Sequence, residues 1–211
     1  MKSTARRSAI HLRGIIFDLD GTLVDSGLDF EAMRQEMGLP PGRPVLETLD
    51  RLDPHDAERC RAILNRHEID GARRATPLPG VVPFLTQAAS LGLRRAVMTR
   101  NSRMAATLTL CRCGLEFEHI LTRDDGPIKP NPWAIHQICH RWNMEPREIL
   151  VIGDFHFDLE AGRAAGSTTV LVCNGKLPSS IPGHQMADVY LSSFVEAEEL
   201  TRLLRNRARD R

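Results

Sequence analysis

The chain has 211 residues, enough for one good-sized core with room for a small insert. Hydrophobic residues make up 42% and charged residues 26%, an ordinary globular composition. The net charge of +1 excludes a global field that would draw the chain to nucleic acid or to an acidic membrane. The five cysteines are odd in number and form no CxxC pair, so free thiols are expected rather than a disulfide framework or a zinc site. No apolar run approaches the roughly 20 residues of a membrane span. The opening MKSTARRSAIHL is basic without an apolar stretch, so no cleaved signal peptide is expected, the first ten or so residues are expected to fray, and the location is read as cytoplasmic.

Gly14-Ile-Ile-Phe17 is a short apolar run that reads as a buried parallel strand ending in Asp18. Residues 26–78 carry helix-like pieces at about 29–37, 44–51 and 54–69, punctuated by prolines, with no convincing strand. From residue 80 onward helices and strands alternate: helix Val81 to Leu91, strand Arg95 to Thr99, helix Ser102 to Cys113, weak strand His119 to Thr122, helix 131–143. A strong strand, Glu148 to Gly153, precedes a helix at 157–165, a strand from Ser167 to Cys173, a short edge strand from Asp188 to Leu191 and a closing helix at 193–206. This order predicts an α/β fold: a Rossmann-like parallel sheet with helices on both faces. A small α-helical cap is inserted after the first strand. The expected division is a core of residues 1–25 and 79–211 and a cap of residues 26–78.

In open parallel sheets, ligands bind at the carboxyl ends of the strands. Asp18 and Asp20 follow the first strand, Thr99 the second, Lys129 the weak one by a loop, and Asp154 and Asp158 the strong one. Four segments thus bring carboxylates, a hydroxyl and an ammonium to one edge. Phosphoryl transfer needs that set: a nucleophile, an acid/base, a metal site and donors for phosphate oxygens.

Asp18-Leu-Asp-Gly-Thr-Leu-Val-Asp25 resembles the first motif of the haloacid dehalogenase-like superfamily. Thr99 in VMTRNS, Lys129 in GPIKPNP and Gly153-Asp-Phe-His-Phe-Asp158 resemble its second, third and fourth motifs, in order and over essentially the whole chain. The position of the insert resembles the subclass with a helical cap after the first strand, which includes phosphoglycolate phosphatase-like enzymes. The resemblance implies a Mg²⁺-dependent phosphatase acting on a small phosphorylated metabolite. Asp18 is then the nucleophile that forms an aspartyl phosphate, and Asp20 the general acid/base. Thr99, Arg100, Asn101 and Lys129 hold the phosphate. Asp18, Asp154 and the carbonyl of Asp20 ligate the metal, with Asp158 orienting them through water or Lys129. An acid at position 20 favours a phosphatase over a dehalogenase, because an alkoxide leaving group needs a proton and a halide does not.

Phe155 departs from the resemblance, since many relatives carry a small polar residue there. His156 lacks a partner at ligand spacing and reads as a packing or surface residue, and Asp25-Ser26 as a cap for the first helix of the insert. Trp133 and Trp142 read as core or edge aromatics, and the Arg-rich tail from Arg202 as a solvated helix end. In the insert, Phe30, Arg34, Gly42 and Arg43 are candidate contacts, with Arg43 placed to pair with a carboxylate or second phosphate on the substrate. The alternatives are a phosphomutase of the same superfamily and a non-catalytic phosphate-binding or signalling module. Neither nucleic acid nor membrane is an expected partner, and the chain is expected as a monomer or homodimer.

Overall fold

The computed structural model describes residues 12–198, 200–202 and 204. A six-stranded sheet forms the centre, built from β1 (Gly14–Phe17), β4 (Arg94–Met98), β5 (His119–Leu121), β6 (Ile149–Gly153), β7 (Thr168–Val172) and β8 (Val189–Leu191). Their order is β5-β4-β1-β6-β7-β8, and every neighbouring pair is parallel. Side chains alternate across a strand, so the central strands feed two cores. Ile15, Phe17, Val97 and Ile152 pack with Val81, Phe84, Leu85, Ala106 and Leu110 from α4 (Val81–Ser90) and α5 (Arg103–Cys113). Ile16, Ala96, Met98 and Val151 pack with Ile135, Ile138, Trp142 and Ala161 from α6 (Trp133–Trp142) and α7 (His156–Ala165). Helices therefore cover both faces, as the apolar runs predict.

Between β2 (Val24–Asp25) and β3 (Thr76–Pro77) lie three helices: α1 (Phe30–Met37), α2 (Val45–Leu49) and α3 (Pro54–Arg74). The Asp29 side chain caps α1 by accepting from the N–H groups of Glu31 and Ala32, and Gly38 ends it at φ 73°. Asp53 caps α3 in the same way, followed by Pro54 in the first turn. Met33, Met37, Val45, Leu49, Cys60 and Leu64 give the insert an apolar cluster of its own.

Three details differ from the sequence expectations. The β3 strand lies within the segment read as strandless; its two residues pair antiparallel with β2 and are too few to show a period. The third helix runs to Arg74 rather than 69. Its Gly71 reads locally as a breaker, yet a Cβ there would sit 3.2 Å from the Leu28 side chain and the Ser26 carbonyl, so the glycine permits a close crossing. Arg74 then donates to the carbonyls of Ser26 (3.1 Å) and Gly27 (3.0 Å), fixing the last turn. The expected closing helix starts instead with a 3₁₀ turn, Phe194–Glu196, with helical residues at 198, 200–202 and 204. The remainder of that helix, the rest of the Arg-rich tail and the first eleven residues lie outside the described residues.

Candidate active site

Register places the site. Phe17 stands opposite both Val97 and Ile152, so β1, β4 and β6 reach the same edge together. The chain beyond that edge supplies Asp18, Thr99 and Asp154. Asp18 N–H donates to the Ile152 carbonyl (2.9 Å) and Thr99 N–H to the Leu121 carbonyl (2.9 Å), which extends the sheet hydrogen bonding to the site.

Lys129 sits at the centre, 4% exposed. Its ammonium donates to Asp18 Oδ1 (2.5 Å) and Asp158 Oδ1 (2.6 Å). Burial opposes the charged amine, but the charges of Asp158 and Asp18 outweigh it and hold Lys129 above its usual range. Asp158 also accepts from the Phe155 N–H (3.3 Å), and its side chain lies so close to Gly153 that a Cβ there would come within 2.2 Å of it. Asp158 thus shares the ammonium that bonds Asp18. Position 155 makes that contact through its main chain, so the Phe side chain leaves it intact.

Asp154 accepts from the Thr22 hydroxyl (3.2 Å). Gly21 adopts φ +76°, and a Cβ there would fall 2.3 Å from Asp154 Oδ2, so two independent constraints require glycine in the first motif. Burial, reinforced by the charges of Asp18 and Asp158, pushes Asp154 up to about 8. Burial likewise pushes Asp158 up to about 6. Asp18, Asp154 and Asp158 each offer an oxygen within 4.8 Å of the others. Three carboxylates facing one ammonium leave an excess of negative charge, and the donor set is all hard oxygen. That chemistry fits a hard divalent cation such as Mg²⁺. The Asp20 carboxylate is not part of this group.

Asp20 is held on both oxygens. Ser26 Oγ donates to Oδ1 in a short hydrogen bond, and Asn101 Nδ2 donates to Oδ2 at 2.6 Å. Burial pushes Asp20 up to about 6 despite those two hydrogen bonds, with the charge of Asp18 adding to the effect. Ser26 therefore holds the carboxyl group of Asp20, while the capping it was expected to provide falls to Asp29. Thr99 is buried, and its hydroxyl accepts from Asn101 N–H (3.1 Å).

Two expected phosphate contacts are engaged elsewhere. The Asn101 amide faces Asp20. The Arg100 guanidinium donates to both oxygens of Glu47 (2.7 Å each) and to the Lys129 carbonyl (2.5 Å), and lies 4.2 Å over the Phe157 ring. Arg43 is exposed in the turn before α2, its carbonyl accepting from Arg34 (3.2 Å). His156, half-buried, pairs with Glu160 one turn on (Nδ1···Oε1 2.8 Å). Trp142 is buried core, and Trp133 packs at its margin.

Residues 12–166 match the family of haloacid dehalogenase-like hydrolases. The chain belongs to that family. It is 31% identical to the N-acetylmuramic acid 6-phosphate phosphatase of Pseudomonas aeruginosa, over 85% of this chain and 90% of that one. It is 29% identical to a phosphoglycolate phosphatase of Chromobacterium violaceum, over 90% of this chain and 96% of that one. Among solved structures it is similar in fold to a hydrolase from Pseudomonas syringae (TM-score 0.73, 23% identity, 89% of this chain and 96% of that one). The family agrees with the resemblance carried by the four motifs, and the haloacid dehalogenase-like relatives agree with the expected class, a phosphoric monoester hydrolase. Among the described residues, no helix is long and apolar enough to cross a membrane.

Proposed function

We propose that this haloacid dehalogenase-like chain is a Mg²⁺-dependent phosphatase that hydrolyses a small phosphorylated metabolite through an aspartyl phosphate on Asp18. The observation that carries the reading is the buried cluster at one sheet edge: Asp18 clamped by Lys129, with Asp154 beside it. Asp18 and Asp154, with the Asp20 carbonyl, would hold the ion, which supplies positive charge against the phosphoryl oxygens when bound.

The residues of the chain then divide the work. Lys129 and Asp158 fix the rotamer of Asp18, so that one carboxylate oxygen is presented to phosphorus. The Asp18 oxygen forms a bond to phosphorus as the bond to the leaving oxygen breaks. Asp20 delivers its proton to that leaving oxygen, for which a carboxyl raised to about 6 is suited. Water then attacks the phosphorus of the acyl phosphate, gives its proton back to Asp20 and releases the Asp18 carboxylate. Thr99, Lys129 and the main-chain N–H of Arg100 are the proposed phosphate donors, while the Asn101 N–H supports the Thr99 hydroxyl. The insert of residues 26–78 is read as the cap over this site, joined to a core of residues 1–25 and 79–211. Both named relatives take their names from phosphorylated acids. Arg43 is accordingly proposed as a contact for a second anionic group on the substrate.

The test is release of inorganic phosphate across a panel of metabolite phosphates with Mg²⁺ and then with chelator, taking Asp18→Asn as the blank. Metal-dependent release by the unaltered chain alone is the expected outcome. Release that persists with chelator counts against the metal, and release by the blank counts against the covalent route. Transfer to a second sugar hydroxyl without free phosphate would mark a phosphomutase.

A further inference from the structure

The segment 100–102 is gripped by two helices of the insert, α2 and α3. On one side, the Glu47 carboxylate of α2 takes two hydrogen bonds from Arg100. On the other, Glu68 of α3 accepts from Ser102 N–H (3.2 Å), from Ser102 Oγ (3.0 Å) and, in a short ion pair, from Arg123. Arg123 also donates to the Arg100 carbonyl (3.0 Å) and to Asn65 Oδ1 of α3 (2.7 Å).

The two grips differ in burial. The Glu68 side chain is 4% exposed and its Arg123 partner 15%. Separating them would strand a buried carboxylate, so that pair is built to stay made. The Glu47 side chain is 37% exposed and that of Arg100 is 19%. Water can replace Arg100 around Glu47 at little cost, so this pair can break and re-form. Arg100 is itself well held by the core: it lies over Phe157, adjacent to Asp158, and bonds the carbonyl of Lys129. When the pair breaks, Arg100 therefore stays with the core and the α2 end of the insert comes free of it, with Val45 and Leu49 still packed against Cys60 and Leu64 of α3.

We propose that the Arg100 side chain positions the insert rather than binding phosphate, and that Arg100–Glu47 is a releasable latch between insert and core, with Glu68–Arg123 as the fixed pivot. This rests on the reading of residues 26–78 as a cap over the active site. Closing the latch places α2 against the segments that carry Thr99, Lys129 and Asp158. Substrate enters and product leaves when it opens, and the pivot keeps α3 in place throughout.

The test is hydrogen exchange on the full chain and on Glu47→Gln, comparing peptides over 40–52 with peptides over 54–74, alongside steady-state kinetics. Gln keeps the shape but loses the charge that strengthens the two hydrogen bonds from Arg100 Nη2. Exchange over 40–52 should rise about tenfold while that over 54–74 stays unchanged, and kcat/KM should fall about tenfold, mostly through KM. The double exchange Glu47→Arg with Arg100→Glu should recover part of the protection over 40–52, which a loss of general stability would not allow. Unchanged exchange over 40–52, or a rise shared equally by 54–74, overturns the latch, as does faster exchange with unaltered kcat/KM. The exchange measurement needs no substrate. A chain that releases no phosphate from any substrate therefore defeats the proposed function, while the exchange result still decides whether the pair holds the insert.

Discussion

Asp20 carries a prediction that its surroundings make specific. Both of its oxygens accept hydrogen bonds, from Ser26 and Asn101, so Asp20→Asn exchanges an acceptor for an amide and leaves the size of the group unchanged. A proton donor matters most when the leaving oxygen is a poor one, and general acid help contributes about 10²–10⁴-fold. The variant should lose roughly that factor on alkyl phosphates and much less on aryl phosphates, measured as kcat on both substrate types. Equal losses would count against the acid role. The residues most legible in the sequence were Asp18, Lys129, Asp154 and Asp158, because each follows an apolar strand or lies in a recognisable motif. Their partners were not legible. Asn174, for example, donates to the Gly21 carbonyl (2.6 Å) across 153 residues of chain, and only the sheet order brings the two together. Arg100 and Asn101 illustrate the converse: their place in the second motif was legible, but the direction of their side chains depended on Glu47 and Asp20.

At the scale of elements, α3 and the start of α5 share one buried carboxylate. Glu68→Ala would leave Arg123 without its ion-pair partner and the Ser102 N–H without an acceptor, a loss worth about 3–5 kcal/mol when one partner of a buried pair is removed. In a chain of this size that lowers Tm by roughly 10 °C. Thermal unfolding followed by circular dichroism measures it, and a shift as small as that of an exposed substitution would mean that Glu68 is not an anchor. The elements themselves were largely readable. The apolar strand runs and the prolines marked most boundaries to within a few residues, although Asp29 and not Asp25-Ser26 caps α1. Where boundaries slipped, tertiary contact overrode the local signal. Arg74 tied to the Ser26 and Gly27 carbonyls holds α3 together past Gly71, and β3 exists only because β2 lies alongside it.

At the scale of the whole molecule, the acidic cluster links stability, pH and metal. Asp154 rises from 3.8 to about 8 on folding, and Asp20 and Asp158 rise from 3.8 to about 6. A carboxyl whose folded value is raised binds its proton more tightly in the folded state. The stability it contributes is present below pH 3.8 and lost as pH rises through 6 and then 8. The metal-free protein is therefore penalised toward alkaline pH. Lys129 does not disturb this window, because a raised amine contributes stability that is lost only above its ordinary 10.5. His119 acts in the opposite sense: burial lowers it, so the stability it contributes is present above 6.5 and lost as pH falls. A plain pH profile of Tm mixes these two trends, whereas the rise in Tm on adding Mg²⁺ at each pH cancels the histidine and isolates the cluster. On the proposed reading, a cation held by Asp18 and Asp154 would compete with protons at low pH and relieve carboxylate repulsion at high pH. At saturating Mg²⁺ the rise in Tm should be small at pH 5.5 and larger by about 3 °C or more at pH 8, since about 1 kcal/mol moves Tm by roughly 2–4 °C at this chain length. Differential scanning calorimetry with Mg²⁺ and with chelator at the two pH values measures both. An equal rise at both would mean that the ion binds without discharging protons from these carboxyls, and would detach the metal from the Asp18–Asp154 pair.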